Sequence, residues 1–325
     1  MPNSLFGPLD PAPDAGWVDA PERKGFLTDT SVCIGCKACE VACKEWNHVP
    51  EDGLSLLGSS FDNSRSLGAS TWRHVKFIEQ PGRADDAVLS RQPVDLGMPG
   101  LRPQDAPPGE DATAADAPCP DAPAEEAVQP DFRWLMSSDV CKHCTHAGCL
   151  DVCPTGALFR TEFGTVVVQD DVCNGCGYCV AGCPFGVIER RGGDKGTVTN
   201  AGIAQKCTLC YDRLKADQTP ACAKACPTES IQFGDVAELR ERGRARVAQL
   251  HEQGYTSARM YGDDPHDGVG GTGAMFLLLD EPEVYGLPPD PVVTTRDLAD
   301  IFRKGGVGGL TLLVGVALSF LGGRR

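Results

Sequence analysis

Sixteen of the seventeen cysteines fall into four groups of four: Cys33/Cys36/Cys39/Cys43, Cys141/Cys144/Cys149/Cys153, Cys173/Cys176/Cys179/Cys183 and Cys207/Cys210/Cys222/Cys226. The first and third follow C-x2-C-x2-C-x3-C without deviation. Cysteine at this density either staples a chain with disulfides or holds metal. Disulfide frameworks belong to short secreted chains, and the two cysteines of a C-x2-C turn bridge poorly. Zinc ribbons pair two C-x2-C units over a dozen or more residues, often with histidine. A third cysteine two residues further on, followed by a fourth and then proline, suits an iron–sulfur cube instead. Proline follows three of the fourth cysteines (Pro154, Pro184, Pro227), whereas Lys44 follows Cys43. Small residues in the loops, such as Gly35, Ala38, Gly148, Gly175 and Gly177, let backbone amides approach the sulfurs.

In the bacterial ferredoxin run, three closely spaced cysteines wrap one cube and the fourth ligates its neighbour. Nineteen residues separate Cys153 from Cys173, and Ala157 to Val168 among them read as a hairpin turning at Gly164. That connector has the length found inside one two-cluster unit, so groups two and three pair. Groups one and four then pair around them. The expected ligand sets are Cys33/Cys36/Cys39/Cys226, Cys43/Cys207/Cys210/Cys222, Cys141/Cys144/Cys149/Cys183 and Cys153/Cys173/Cys176/Cys179, for four [4Fe–4S] clusters. The seventeenth cysteine, Cys119, sits among prolines and acids and reads as a bystander. His143 and His146 lie within the second group, where four cysteines already complete a ligand set, so they read as surrounding or surface residues.

The elements that position these groups give an α+β fold: two nested bacterial-ferredoxin-like dicluster units with long loops, plus a C-terminal membrane-anchoring helix. Residues 1–28 read as a Pro-rich N-terminal extension, and 29–80 with 191–234 as the outer unit. Residues 132–190 read as the inner unit, and 235–304 as an extension and linker. A short helix is expected through Trp46, a strand at 71–79, another from Phe132, a helix from Asp235 to Gln253, and a buried strand after Gly268. Between the units, residues 81–131 hold eleven acids against three arginines, more than half of the net charge of −15. With no hydrophobic period, that stretch reads as a loosely packed insertion. No basic stripe with interleaved aromatics remains, which excludes a nucleic-acid surface.

Aromatics are only 6% of the residues, so metal coordination is expected to supply much of the folding free energy, with the apo chain largely unfolded. No nucleophile–base pair, phosphate loop or carboxylate pair marks a catalytic site. Lys206, Arg213 and Lys215 near the fourth group could raise a cluster's potential or be solvated surface; the sequence leaves both readings open. The N-terminus lacks the basic and apolar regions of a secretory signal. Gly305 to Gly323 runs nineteen residues without a charge, bracketed by Arg303/Lys304 and Arg324/Arg325. As a helix it would span about 28 Å, enough for a short bilayer crossing. Two positive residues on each side leave its orientation open.

The order and spacing of all four groups resemble the four-cluster subunits of molybdopterin oxidoreductases. Four segments resemble the iron–sulfur (beta) subunit of respiratory formate dehydrogenase more narrowly. They are Thr30-Ser-Val-Cys-Ile-Gly-Cys-Lys-Ala-Cys-Glu-Val-Ala-Cys-Lys-Glu-Trp46, Cys207-Thr-Leu-Cys-Tyr-Asp-Arg213, Gly268-Val-Gly-Gly-Thr272 and Tyr285-Gly-Leu-Pro-Pro-Asp-Pro291. The resemblance covers about 26–80 and 132–320; the acidic insertion departs from it. It implies a non-catalytic electron-transfer subunit with four cubes in a nearly linear chain. A molybdenum or tungsten pterin subunit would oxidise formate on one side, and a membrane cytochrome b and quinone would receive electrons on the other. It implies a single-pass membrane anchor, with the soluble part on the outer face; the missing signal fits this and a cytoplasmic orientation alike. The same subunit of a hydrogenase or of another molybdopterin oxidoreductase is the rival reading, and a structural metal scaffold the reading from a different class.

Overall fold

The computed structural model describes residues 11–52, 61–62, 64–80 and 133–322. The acidic insertion and Cys119 lie outside the described residues. The chain divides into two units, Met1–Ile78 with Leu135–Arg325, and Glu79–Trp134. All four cysteine groups belong to the first unit. The strands are β1 (Lys24–Asp29), β2 (Arg73–Gln80), β3 (Arg133–Val140), β4 (Leu158–Arg160), β5 (Val166–Val168), β6 (Glu189–Arg190), β7 (Ala204–Gln205), β8 (Ile231–Asp235), β9 (Arg259–Tyr261) and β10 (Ala274–Leu278). The helices are α1 (Pro11–Asp14), α2 (Ala38–Trp46), α3 (Gly148–Asp151), α4 (Tyr178–Ala181), α5 (Tyr211–Lys215), α6 (Ala221–Lys224), α7 (Val236–Glu252) and α8 (Leu298–Gly322).

Ala-Met-Phe-Leu-Leu is an unbroken apolar run, as a strand covered on both faces requires. It forms β10, every residue of which is buried. β10 lies at the centre of a sheet ordered β8-β1-β10-β9, parallel to β1, with Phe26 opposite Ala274. Strand alternation then assigns the two faces. Leu27 and Met275 meet Val236 and Leu239 of α7, and Leu277 meets Leu250. Phe26, Phe276 and Leu278 face the other way, into a core shared with Cys39, Cys43, Cys141, Cys207 and Cys222. The sheet is therefore a floor, with a helix beneath and cysteines above. Burying each of these large apolar side chains contributes roughly 1.5–3 kcal/mol.

The strand at 24–29 lies within the segment that reads as a lead-in, yet it is the sheet's second central strand. Its Lys-Gly-Phe-Leu-Thr-Asp sequence is too short and mixed to announce itself; pairing on both sides makes it. The other expected elements appear within a few residues of their places. β2 pairs with β3, and β4 with β5 around Gly164, whose φ of 72° suits a turn. α2 packs on α6, and α3 on α4.

The terminal helix differs from its expected span. It starts at Leu298, not Gly305, and runs through Arg303 and Lys304. Charge limits what enters a bilayer, but Arg and Lys are good helix formers, so the backbone helix continues past the apolar stretch. Residues Ile301–Leu321 have a mean hydropathy of 1.6 and none of that span is buried, so the helix is long and apolar enough to cross a membrane.

Candidate metal centres

The first C-x2-C turn of each group carries a left-handed residue directly before its second cysteine. These are Gly35 (φ 65°), His143 (φ 46°), Gly175 (φ 73°) and Leu209 (φ 58°). The twist aims a backbone N–H at the preceding sulfur, as Leu209 N donates to Cys207 Sγ at 3.3 Å. Glycine accepts this conformation freely, and at Gly35 a Cβ would also meet Phe77 and Met136 at under 3 Å. Leucine does not, and its strain costs about 1–3 kcal/mol. Leu209 is fully buried, and its packing holds it there.

The residue after each fourth cysteine sets how the loop leaves. Where Pro154, Pro184 and Pro227 follow, the third residue on is again left-handed: Gly156, Gly186 and Glu229. The accompanying helices α3, α4 and α6 are four residues long. Proline has no N–H to continue a helix. Lys44 has one, and α2 runs nine residues to Trp46. Trp46 Nε1 there donates to Asp212 Oδ2 at 2.8 Å, and its ring lies 4.2 Å from the Arg213 guanidinium. One departure from the proline pattern thus ties group one to group four.

Two cavities open among the cysteines. One of about 290 Å³ is lined by Cys33, Cys36, Cys39 and Cys226, the other of about 370 Å³ by Cys141, Cys144, Cys149 and Cys183. Each takes three cysteines from one group and the fourth from another. The other eight expected ligands also collect. Cys207, Cys222 and Cys210 act on the Cys43 thiol, and Cys173, Cys176 and Cys153 act on Cys179. Among the described residues no three His, Cys, Asp or Glu side chains converge on a single-ion site. A zinc ion would need sulfurs about 2.3 Å from one point, whereas in a cube each thiolate binds its own iron.

Burial and mutual crowding oppose ionisation of several of these thiols. Burial pushes Cys39 and Cys210 to about 11 and Cys149 and Cys207 to about 12, with neighbouring cysteines adding to the rise. Cys43 and Cys144 are raised well above the usual thiol range, for the same reasons. Cys153 moves the other way. Burial acts upward on it too, but N–H groups of Leu158, Thr155 and Ala157 lower it overall. Four thiolates can share such a wall only around a positive core, which a coordinated metal group supplies. The donor set fits that group.

The surrounding charges differ from their sequence appearance. Lys206 is buried, its ammonium donating to the carbonyls of Val166 and Cys207, and it lines the cavity of Cys149, a cysteine of another group. Arg213 is buried and donates to Thr219 O at 2.7 Å. Lys215 remains exposed above Tyr211. His143 is buried; its Nδ1 accepts from Val166 N at 3.1 Å, while Nε2 has no partner. Burial, then Lys206 and nearby arginines, hold it neutral. Arg73 escaped the sequence reading. It shares a strand face with Val75 and Phe77, and that parity was the available signal.

Comparison with known proteins agrees with this geometry. Two family models, each described as a 4Fe-4S dicluster domain, match residues 32–157 and 132–236. The formate dehydrogenase iron-sulfur subunit of Haemophilus influenzae is 36% identical over 313 residues, covering 94% of this chain and 82% of the relative. The nitrate-inducible formate dehydrogenase iron-sulfur subunit of Escherichia coli is 36% identical over 275 residues, covering 83% and 74%. The formate dehydrogenase-O iron-sulfur subunit of Escherichia coli is 35% identical over 292 residues, covering 88% and 77%. With cysteines gathered in this way and identity of this extent over most of its length, the chain belongs to the iron–sulfur subunits of formate dehydrogenase, non-catalytic subunits of an oxidoreductase.

Proposed function

We propose that the chain carries electrons singly through four [4Fe–4S] clusters, between a molybdenum or tungsten pterin subunit that oxidises formate and a membrane cytochrome b that passes them to quinone. When bound, the clusters supply one-electron acceptor sites. The ligand sets are Cys33/Cys36/Cys39/Cys226, Cys43/Cys207/Cys210/Cys222, Cys141/Cys144/Cys149/Cys183 and Cys153/Cys173/Cys176/Cys179. The observation that carries this reading is the continuity between sets. Cys39 is acted on by Cys222, Cys207 by Cys141, and Cys149 by Cys179, which link one to two, two to three and three to four.

The residues' part is to hold, insulate and bias. The left-handed turns present N–H groups to sulfur, the apolar floor of Phe26, Phe276 and Leu278 excludes water, and buried cations favour negative charge. Packing of α2 on α6 and of α3 on α4 supports one unit nested in the other, 132–190 within 29–80 and 191–234. Helix α8 anchors the chain in the membrane as a single span. The soluble part on the outer face, delivered with a partner that bears the export signal, completes the reading.

Purification of the native complex tests this. Expected are about sixteen irons per chain, four centres that become paramagnetic on stepwise reduction, and their reduction by formate. Zinc in place of iron, or clusters that no poise reduces, supports an inert metal scaffold and ends the proposal. Clusters that a co-purified catalytic subunit reduces with another donor end the formate assignment alone.

A further inference from the structure

Arg73 is a fully buried arginine, 2% exposed, with no counter-ion among the described residues. Nη1 donates to Ser138 O at 3.3 Å and Ser138 Oγ at 3.1 Å, and the guanidinium stacks 4.9 Å from the Phe26 ring centroid. Nε and Nη2 have no hydrogen-bond partner among the described residues. An unpaired buried charge is costly, by several kcal/mol even after relaxation. A sequence keeps one only where something negative faces it. The four thiols that act on it are Cys222, Cys39, Cys207 and Cys43, all from groups one and four. Ser138 joins it directly to one of them, with Oγ 3.2 Å from Cys39 Sγ.

Three other buried cations are already satisfied. Lys142 pairs with Asp139, and Lys206 donates to two carbonyls. Arg213 has the Thr219 carbonyl and the Trp46 ring. Arg73 alone among these four combines full burial with two idle donor nitrogens.

We propose that Arg73 is a positioning residue for charge: it stands between the first two cysteine sets and selectively raises the reduction potential of the cluster held by Cys43, Cys207, Cys210 and Cys222. The inference rests on the four-cluster reading of the proposed function. Three of the four thiols around Arg73 belong to that set, and Cys39 alone to the first. Reduction adds one electron, and so one negative charge, to the group those thiolates hold; Arg73 exchanges neither proton nor electron. Its fixed charge lowers the energy of the reduced form more than that of the oxidised form. The second position thereby becomes a better resting place for an electron than its cysteines alone would make it.

The test is a potential titration of the purified native complex, followed by electron paramagnetic resonance, for Arg73→Gln and Arg73→Lys. At a fixed potential, R73Q should reduce the reduced-to-oxidised ratio of one centre roughly tenfold, which is about 59 mV for a one-electron couple. A second centre should move less, and two not at all. R73K keeps the charge and should hold the ratio within about twofold. If R73Q does not assemble, R73K decides alone, since a tenfold fall with charge retained overturns the proposal. An unchanged R73Q, or an equal shift in all four centres, overturns it too. Iron content and the number of centres in the unaltered complex report on the cluster reading separately, so failure of one leaves the other readable.

Discussion

The outer and inner cysteine regions do the same job on unequal foundations. The outer one stands on the four-stranded sheet and shares a core with Phe26, Phe276, Leu278 and Tyr285, while α7 closes the sheet's other face. The inner one reaches that core at Val140, Cys141 and Val187, and otherwise has a small cluster of Ala147, Leu158, Val166, Ile188 and Ala204 and a hairpin of two three-residue strands. A two-stranded hairpin is marginal in water, and that cluster is too small to hold it. The comparison teaches that metal and apolar packing divide the stabilisation differently along one chain. The outer region has a fold for the cysteines to sit on; the inner region depends on its cysteines and the metal they hold.

Removing iron with a chelator under reducing conditions should have the largest effect and break the comparison most directly. Residues 141–190 should lose nearly all protection in hydrogen exchange, while β1, β10 and α7 keep a measurable part. Equal loss in both regions would show the sheet to be no foundation. Leu239→Ala comes next. It opens a cavity between α7 and the sheet, where Leu239 is 1% exposed, and should cost about 2–5 kcal/mol, read as a lowered denaturation midpoint. The inner centres should keep their spectra at temperatures where the holo-protein remains folded.

Lys44→Pro makes the outer region resemble the inner one. α2 should stop near Cys43, removing the Trp46 contacts to Asp212 and Arg213 at a cost of up to about 3 kcal/mol. Trp46 fluorescence, together with stability, measures it. The smallest effect concerns acid. His74 is buried, and its burial, partly offset by Asp62 and Asp139, lowers its pKa. A depressed histidine takes up its proton more readily when unfolded, so its stabilisation is present above the unfolded value of about 6.5 and is lost as pH falls below it. The loss approaches about 1.4 kcal/mol per pH unit. His74→Gln should flatten the fall in melting temperature between about pH 6.5 and 5; an unchanged slope removes His74 from the account.

Much of the site was legible because cluster ligation leaves its mark in spacing. Repeated C-x2-C turns and a nineteen-residue connector are what the expected ligand sets rest on. Apolar runs showed β10 and the terminal helix for the same reason: a continuous pattern needs no partner to be recognised. What stayed hidden depends on partners remote in sequence. β1 is a strand because β8 and β10 flank it. Lys206 serves the cavity of another cysteine group because its side chain crosses to Val166. Leu209 and His143 take a conformation their side chains disfavour, which composition alone argues against.

The order along the chain of the cysteines that line each cavity bears on how the protein is made. The cavity of Cys33, Cys36 and Cys39 is not complete until Cys226 arrives, although its first three residues leave the ribosome early. The cavity of Cys141, Cys144 and Cys149 needs only Cys183. During synthesis from the N-terminus, the inner site can therefore close while the earliest cysteines still wait, reduced and unpartnered. Sites filled as their ligands emerge would be filled from the middle of the chain outward, with the first motif translated among the last to be completed.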